Sequence, residues 1–195
     1  MPDTFVRTCD LDPEDFSIDT ERLSLRLTSK DHLEGLFGQM SDSSLTEFLT
    51  WEAHQSMETT LSVINSLESD RKNDSSVSWT CLFEGNVCGL VSLIDIKRWH
   101  RLWYINRAEL AYWLGQDYQG NGFMTEACRA VLDFTFYVLK FHKVLIAHAG
   151  LNTSSEKIIK RLGFRYIGCE LEAFLKNEKW HDLYKYELLA SSWKQ

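Results

Sequence analysis

The densest chemistry in the sequence lies in Glu109-Leu-Ala-Tyr-Trp-Leu-Gly-Gln-Asp-Tyr-Gln-Gly-Asn-Gly-Phe-Met-Thr-Glu126-Ala127. A strand-like run enters a loop holding Gly120 and Gly122, and the loop opens a helix. The first amides of a helix have no partner within it and sit at the positive end of its dipole, so such a junction attracts anions. Glycine at 120 and 122 removes the side chains that would keep a diphosphate from those amides. The loop has no Lys-Ser/Thr ending, so it is not a P-loop, and it lacks the third glycine of GxGxxG. By itself a GxG turn is a weak signal and is more often a tight bend that needs a flexible backbone. Strand alternation puts Glu109, Ala111 and Trp113 on one face and Leu110, Tyr112 and Leu114 on the other, which sets a carboxylate beside an aromatic wall.

Those residues need a sheet to hold them. Alternation from Leu23 to Leu27 predicts a half-buried strand, and Ser29 followed by Lys30 to Gln39 predicts a capped helix. Thr59 to Arg71, with Leu61, Ile64 and Leu67 at helical spacing, predicts a second helix, ended by the polar run Lys72 to Ser76. Trp51 falls in the connector between them. Val77 to Phe83 and Val87 to Ile96 read as a hairpin turned at Glu84-Gly85-Asn86, followed by a strand from Arg107 to Leu114. Trp99, His100, Arg101, Trp103 and Tyr104 are left between strands, as surface packing or a cap on a cleft. Asn121 to Leu139 predicts one helix with Ala127, Val131, Phe134 and Val138 along a face. Lys143 to Ala149 reads as a short strand and Thr153 to Leu162 as a helix stopped at Gly163. Phe164 to Glu170 and Leu183 to Leu189 are the closing strands. This order is that of an α+β, or mixed α/β, domain on one sheet. The first 20 residues, rich in Asp and Glu with Pro2 and Pro13, predict an irregular acidic lead-in, which leaves residues 21–195 for the domain.

Composition removes several classes of function. With 195 residues, 44% of them hydrophobic and 25% charged, the chain can bury one sizeable core. A net charge of -7 opposes binding to phosphate backbones, which needs clustered Lys and Arg, so no nucleic-acid partner is expected. Acidity suits a cationic amine, and it equally suits plain solubility. Cys9, Cys81, Cys88, Cys128 and Cys169 are odd in number and far apart, and the histidines lack metal-ligand spacing, so neither a disulfide framework nor a metal site is expected. No run of about 18 apolar residues is present to span a bilayer. The acidic N-terminus lacks the pattern of a signal peptide. The expected setting is cytoplasmic, with no membrane partner.

The stretch from Glu109 to Ala127 resembles the GNAT superfamily of N-acetyltransferases, and within it the branch of the ribosomal-protein acetylases RimJ and RimL. That branch has a strand similar to Glu-Ile-Gly-Tyr-Trp-Leu, here Glu109 to Leu114, and a loop similar to Gln-Gly-x-Gly-x-Met-Thr-Glu-Ala, here Gln119 to Ala127. Asn152-x-x-Ser155 with Leu162-Gly163-Phe164, and then Asn177-x-x-Trp180-x-Asp182, match further family segments in order. The likeness runs over nearly the whole chain from Glu21. It implies a single GNAT-like domain with a mostly antiparallel central sheet, splayed at an acetyl-CoA site and flanked by helices. Acetyl-CoA would be the acetyl-donor cosubstrate, its diphosphate on the amides of Gln119, Gly120, Asn121, Gly122, Phe123 and Met124. Its pantetheine arm would lie beside Trp113 and Leu114 and be hydrogen-bonded by Asn152, a residue that also suits the cap of the following helix. Asp117 departs from the Gln or Arg usual at that place in the wider superfamily.

Acetyl transfer needs an amine with a free lone pair, a route for its proton, and support for the oxyanion and the departing thiolate. On the resemblance Glu109 would be the base, through a water, and Ser155 the donor to the thiolate. Their structural readings are a solvated strand glutamate and a first-turn helix serine satisfying a local amide. Ile159 stands where polyamine acetylases and many other relatives have tyrosine, which favours the RimJ/RimL-like branch. Trp51 would contact the acceptor or pack as a wall beside it. The expected reaction is acetyl transfer to a primary amine, foremost the N-terminal α-amine of a protein such as a ribosomal protein, by a monomer or homodimer. A polyamine or other small amine is the alternative acceptor, and a non-catalytic acyl-CoA-binding module is the alternative of another class.

Overall fold

An eight-stranded sheet runs through the computed structural model, which describes residues 5–46 and 49–194. The short strand β1 (Ile18–Asp19) lies on β2 (Leu23–Leu27), whose alternation sends Leu23 and Leu25 into the core. β3 (Val77–Phe83) turns into β4 (Asn86–His100) through Glu84 and Gly85, both at the positive φ that a two-residue hairpin turn needs. β5 (Trp103–Leu114) returns along β4. With β6 (Lys143–Ala149), β7 (Arg165–Lys176) and β8 (Lys179–Leu189) the order is β1-β2-β3-β4-β5-β6-β8-β7, and every neighbouring pair is antiparallel except β5 with β6. The mixed, mostly antiparallel sheet is the expected architecture.

Helices cover both faces. α1 (Leu33–Met40) follows a 3-10 turn at Lys30–His32 in which the Ser29 hydroxyl accepts the Asp31 amide, and α2 (Met57–Lys72) is capped by Ser56. They bury Leu36, Met40 and Ile64 against Leu90 and Trp113 of the sheet. The larger core lies on the other face, beneath α3 (Phe123–Asp133) and α4 (Thr153–Arg161). The helix expected from Asn121 to Leu139 is not continuous: a wide π-turn at Phe134–Val138 follows α3, and the Thr135 hydroxyl donates to the Val131 carbonyl. The extra residue in that turn rotates Val138 out to solvent and brings Leu139 into the core in its place, which corrects the expected stripe.

Two further expectations change at hairpin ends. The aromatic connector between the second and third long strands is itself strand, with Trp99 opposite Tyr104, His100 opposite Trp103, and the chain turning at Arg101 and Leu102. The last two strands are likewise longer than alternation suggested, meeting at Asn177 and Glu178, both at positive φ. At these tips most residues are exposed or only part-buried on either face, so the sequence carries little alternation to read.

The acidic lead-in differs as well. Residues 1–4 lie outside the described residues, but from Thr8 onward the segment forms 3-10 turns at Thr8–Asp10 and Pro13–Phe16 and then β1, where an irregular lead-in was expected. Phe16 is fully buried and its carbonyl accepts the Trp79 indole N–H at 2.8 Å. Farther along, the buried Arg98 guanidinium donates to Asp74 at 3.0 Å and to the Val6 carbonyl at 3.0 Å, and the Thr8 amide also donates to Asp74. Two aromatic side chains, Phe16 and the Phe5 ring stacked on Tyr104, and a few backbone partners thus dock a segment whose carboxylates stay in water. All five cysteines are free, Cys9 and Cys169 exposed and the others buried. Among the described residues no helix is long and apolar enough to cross a membrane.

Candidate active site

The site begins where two strands part. β5 and β6 pair at Arg107 with Lys143, Ala108 with Val144 and Glu109 with Leu145, and then separate although β5 runs on to Leu114 and β6 to Ala149. Among the described residues the backbone groups of β5 beyond that point have no strand partner on the β6 side, which leaves an edge where an extended chain can pair. A cleft of about 490 Å³ fills the opening. Tyr112, Trp113 and Leu114 form its floor, the glycine loop closes one end, and α4 forms a wall through Asn152, Ser154, Ser155, Lys157, Ile158 and Arg161. Among the described residues the lining includes Lys157 and Arg161 and no Asp or Glu, in a chain of net charge -7.

At the loop, Gly120 and Gly122 both take φ near +80°, a conformation that disfavours any side chain, and Gly122 is the cap residue of α3 without a side chain to offer its first amides. Those amides remain open to an anion at the positive end of the helix. The loop is braced from outside: Arg22 donates to Glu126 at 2.8 Å and to the Asn121 carbonyl at 2.9 Å, and Thr20 donates to Glu126 at 2.6 Å. Gln119, Gly120, Gly122 and Met124 line the cleft, together with Trp113, Leu114 and Asn152. Asn121 and Phe123 do not. The Asn121 amide group donates back to the carbonyls of Tyr118 and Gln119, and the Phe123 ring packs on Phe83, so both residues have only main chain to present.

On the α4 wall the Asn152 side chain caps the helix, accepting the Ser155 amide at 3.0 Å. The Ser155 hydroxyl lies 2.9 Å from that of Tyr112, a residue the sequence reading placed on the strand but gave no role. Burial pushes the Tyr112 phenol well above its ordinary range, with the bond to Ser155 opposing, so it keeps its proton. Lys157 and Arg161 also went unremarked. Their signal was present, because Ser154, Lys157, Ile158 and Arg161 recur at helical spacing. Nothing in the sequence shows that Tyr112 meets α4, since that contact crosses from strand to helix.

Glu109 lies outside the cleft lining, on the opposite face of β5 from Tyr112 and beside the point where the strands part. It is half-buried. Burial and then Asp95 push its carboxyl up, against the pull of Lys185, Arg107 and Lys97. Among the described residues no side chain donates a hydrogen bond to it, so its lone pairs are available to a water or an amine. Trp51 is likewise outside the lining and stands edge-on to Trp113 with ring centroids 6.4 Å apart, as part of the wall behind the strand. Lys176, at the end of β7, donates to the carbonyls of Thr46 at 2.6 Å and Leu49 at 2.5 Å, so the hairpin β7–β8 is fastened to the loop after α1. Among the described residues no cluster of His, Cys, Asp or Glu is arranged to hold a metal ion.

The site therefore offers anion-binding amides, an unpaired strand edge, a hydroxyl pair and a carboxylate across the strand. The family model described as acetyltransferase (GNAT) domain matches residues 22–165. The "Putative ribosomal N-acetyltransferase YdaF" of Bacillus subtilis (strain 168) is 34% identical over 113 residues, 57% of this chain and 58% of that protein. A spermidine N(1)-acetyltransferase of Vibrio cholerae is 30% identical over 108 residues, 55% of this chain and 60% of its own. These matched stretches span less than two thirds of either relative. Among solved structures, RimL, a ribosomal L7/L12 α-N-protein acetyltransferase in complex with coenzyme A, has the same fold with a TM-score of 0.82, at 21% identity over 90% of this chain and 99% of that one.

Proposed function

Because the chain belongs to the GNAT acetyltransferase family, we propose that it is an acetyl-CoA-dependent N-acetyltransferase acting on a primary amine, foremost the α-amine of a protein N-terminus. One observation carries the reading: a cation-lined cleft opens between β5 and β6, with bare helix amides at one end and the Ser155–Tyr112 hydroxyl pair on its wall. The amides from Gln119 to Met124 suit a diphosphate, with Lys157 and Arg161 adding positive charge. The free edge at Trp113 and Leu114 suits the amide-bearing pantetheine arm, and Asn152 stands beside it. Acetyl-CoA supplies an activated acyl group there. Glu109, from the other face of β5, takes the amine proton through a water, and Ser155 donates to the leaving sulfur. Trp51 backs the floor of the site.

An α-amine, with a pKa of about 8, is easier to deprotonate than a lysine amine at about 10.4. A relative named for ribosomal N-acetylation favours that acceptor. A polyamine is the second reading, favoured by the spermidine-acetylating relative and by the acidic chain. Release of CoA thiol, followed with peptides carrying free N-termini, spermidine and aminoacyl compounds, separates them. Faster release with the peptides supports the leading acceptor, and faster release with spermidine replaces it. Binding of acetyl-CoA without thiol release from any amine leaves a non-catalytic acyl-CoA-binding module.

A further inference from the structure

We infer that the Tyr112 hydroxyl is a positioning group, one that turns the Ser155 hydroxyl proton toward the sulfur that leaves. The inference rests on the acetyltransferase reading. The Tyr112 oxygen lies 2.9 Å from Ser155 Oγ and 3.4 Å from the Ser155 carbonyl oxygen, and these are its hydrogen-bond partners among the described residues. The hydroxyl is part-buried, and of the two protein acceptors within its reach Oγ is the nearer. Once the phenol donates to Oγ, the serine's own proton has to point elsewhere, and both residues line the cleft.

Both partners are held before anything binds. Tyr112 sits on β5 opposite Val91 of β4, and the Ser155 amide is tied to Asn152. A serine hydroxyl is otherwise a free rotor, so a fixed donor behind it sets the direction of its dipole in advance. In the step served, the amine lone pair forms a C–N bond to the thioester carbonyl carbon. The C–S bond then breaks with its electron pair on sulfur. One proton leaves nitrogen for the base, which passes it to solvent, and the thiolate takes one up from solvent, so the net transfer is from N to S. Ser155 and Tyr112 end as they began, having stabilised the thiolate through one hydrogen bond.

The test is a double-mutant cycle on kcat, with CoA release measured for wild type, Tyr112→Phe, Ser155→Ala and the double variant on the amine turned over fastest. Rates are expressed per folded molecule, with the folded fraction read from thermal melts. Tyr112→Phe should lower kcat about tenfold with KM for acetyl-CoA unchanged, and should cost nothing further once Ser155 is alanine. An equal loss in both backgrounds means that Tyr112 acts independently of Ser155 and overturns the inference. No loss in the wild-type background overturns it too. A wild-type protein that releases no CoA with any amine overturns the acetyltransferase reading, and the inference falls with it.

Discussion

At the scale of residues, Glu109 is set by opposing neighbours. Burial and Asp95 favour its neutral form, while Lys185, Arg107 and Lys97 favour the carboxylate. A base works only when deprotonated, so activity is lost as pH falls through the raised pKa of Glu109. The acid limb of the kcat/KM profile should therefore lie above the ordinary carboxylate range. Asp95→Asn removes a charge that raises that pKa and should move the limb to lower pH; Lys185→Met should move it higher. A limb unmoved by either change assigns the titration to another group. Glu109→Gln should lower turnover about 10²-fold at neutral pH while acetyl-CoA still binds, with partial recovery at high pH as more amine arrives unprotonated. Thiol release followed from about pH 4, in the ordinary carboxylate range, to about pH 9, beyond the titration of an α-amine, measures both effects. The places of Glu109 on a strand and of Ser155 in the first turn of a helix were legible from the sequence. The contact of Tyr112 with Ser155 was not, because it depends on which helix packs over the strand.

Among the elements, the junction from β5 through the glycine loop to α3 carries the sharpest expectation. Gly120 has open space around it and Gly122 would bring a new Cβ within 3.6 Å of Arg22, but both sit at positive φ. Valine at either position is thus resisted mainly by the backbone, and the loop should shift to relieve it. In folded Gly120→Val and Gly122→Val proteins, the rise in Tm that acetyl-CoA causes in the wild type should largely disappear. A full shift in both would remove the loop from the binding site. On the opposite wall, Lys157→Glu with Arg161→Glu should weaken acetyl-CoA binding by about tenfold or more, and the loss should shrink as salt rises. Calorimetric titration at two ionic strengths checks this. Elements with one wet and one dry face were readable from their periodicity, as β2 and α4 were. The π-turn after α3 was not, because Thr135 and Leu139 disclose the slipped phase only once the core they face is known.

Across the whole molecule, the core is completed by a segment that composition alone reads as irregular. Phe16→Ala should cost about 3–5 kcal/mol and lower Tm by roughly 10 °C. Because Phe16 packs on Trp79 and Phe134, away from the cleft, the further rise in Tm on adding acetyl-CoA should survive, and a loss of that rise would tie the segment to the site. The mixed sheet and its opening were expected; its strand order was not, and neither was the docking of the lead-in, since two aromatics among many carboxylates are a weak signal until their pockets exist. The opening itself has a mechanical side. β1 to β5 form one ribbon and β6, β8 and β7 another, stitched by the short run of Arg107–Glu109 against Lys143–Leu145. Such a sheet is a notched plate. Strain applied across it concentrates at the root of the notch, beside Glu109, and an extended molecule laid along the free edge carries shear from one ribbon to the other. A ligand laid in the notch would then also be the brace that stiffens the plate.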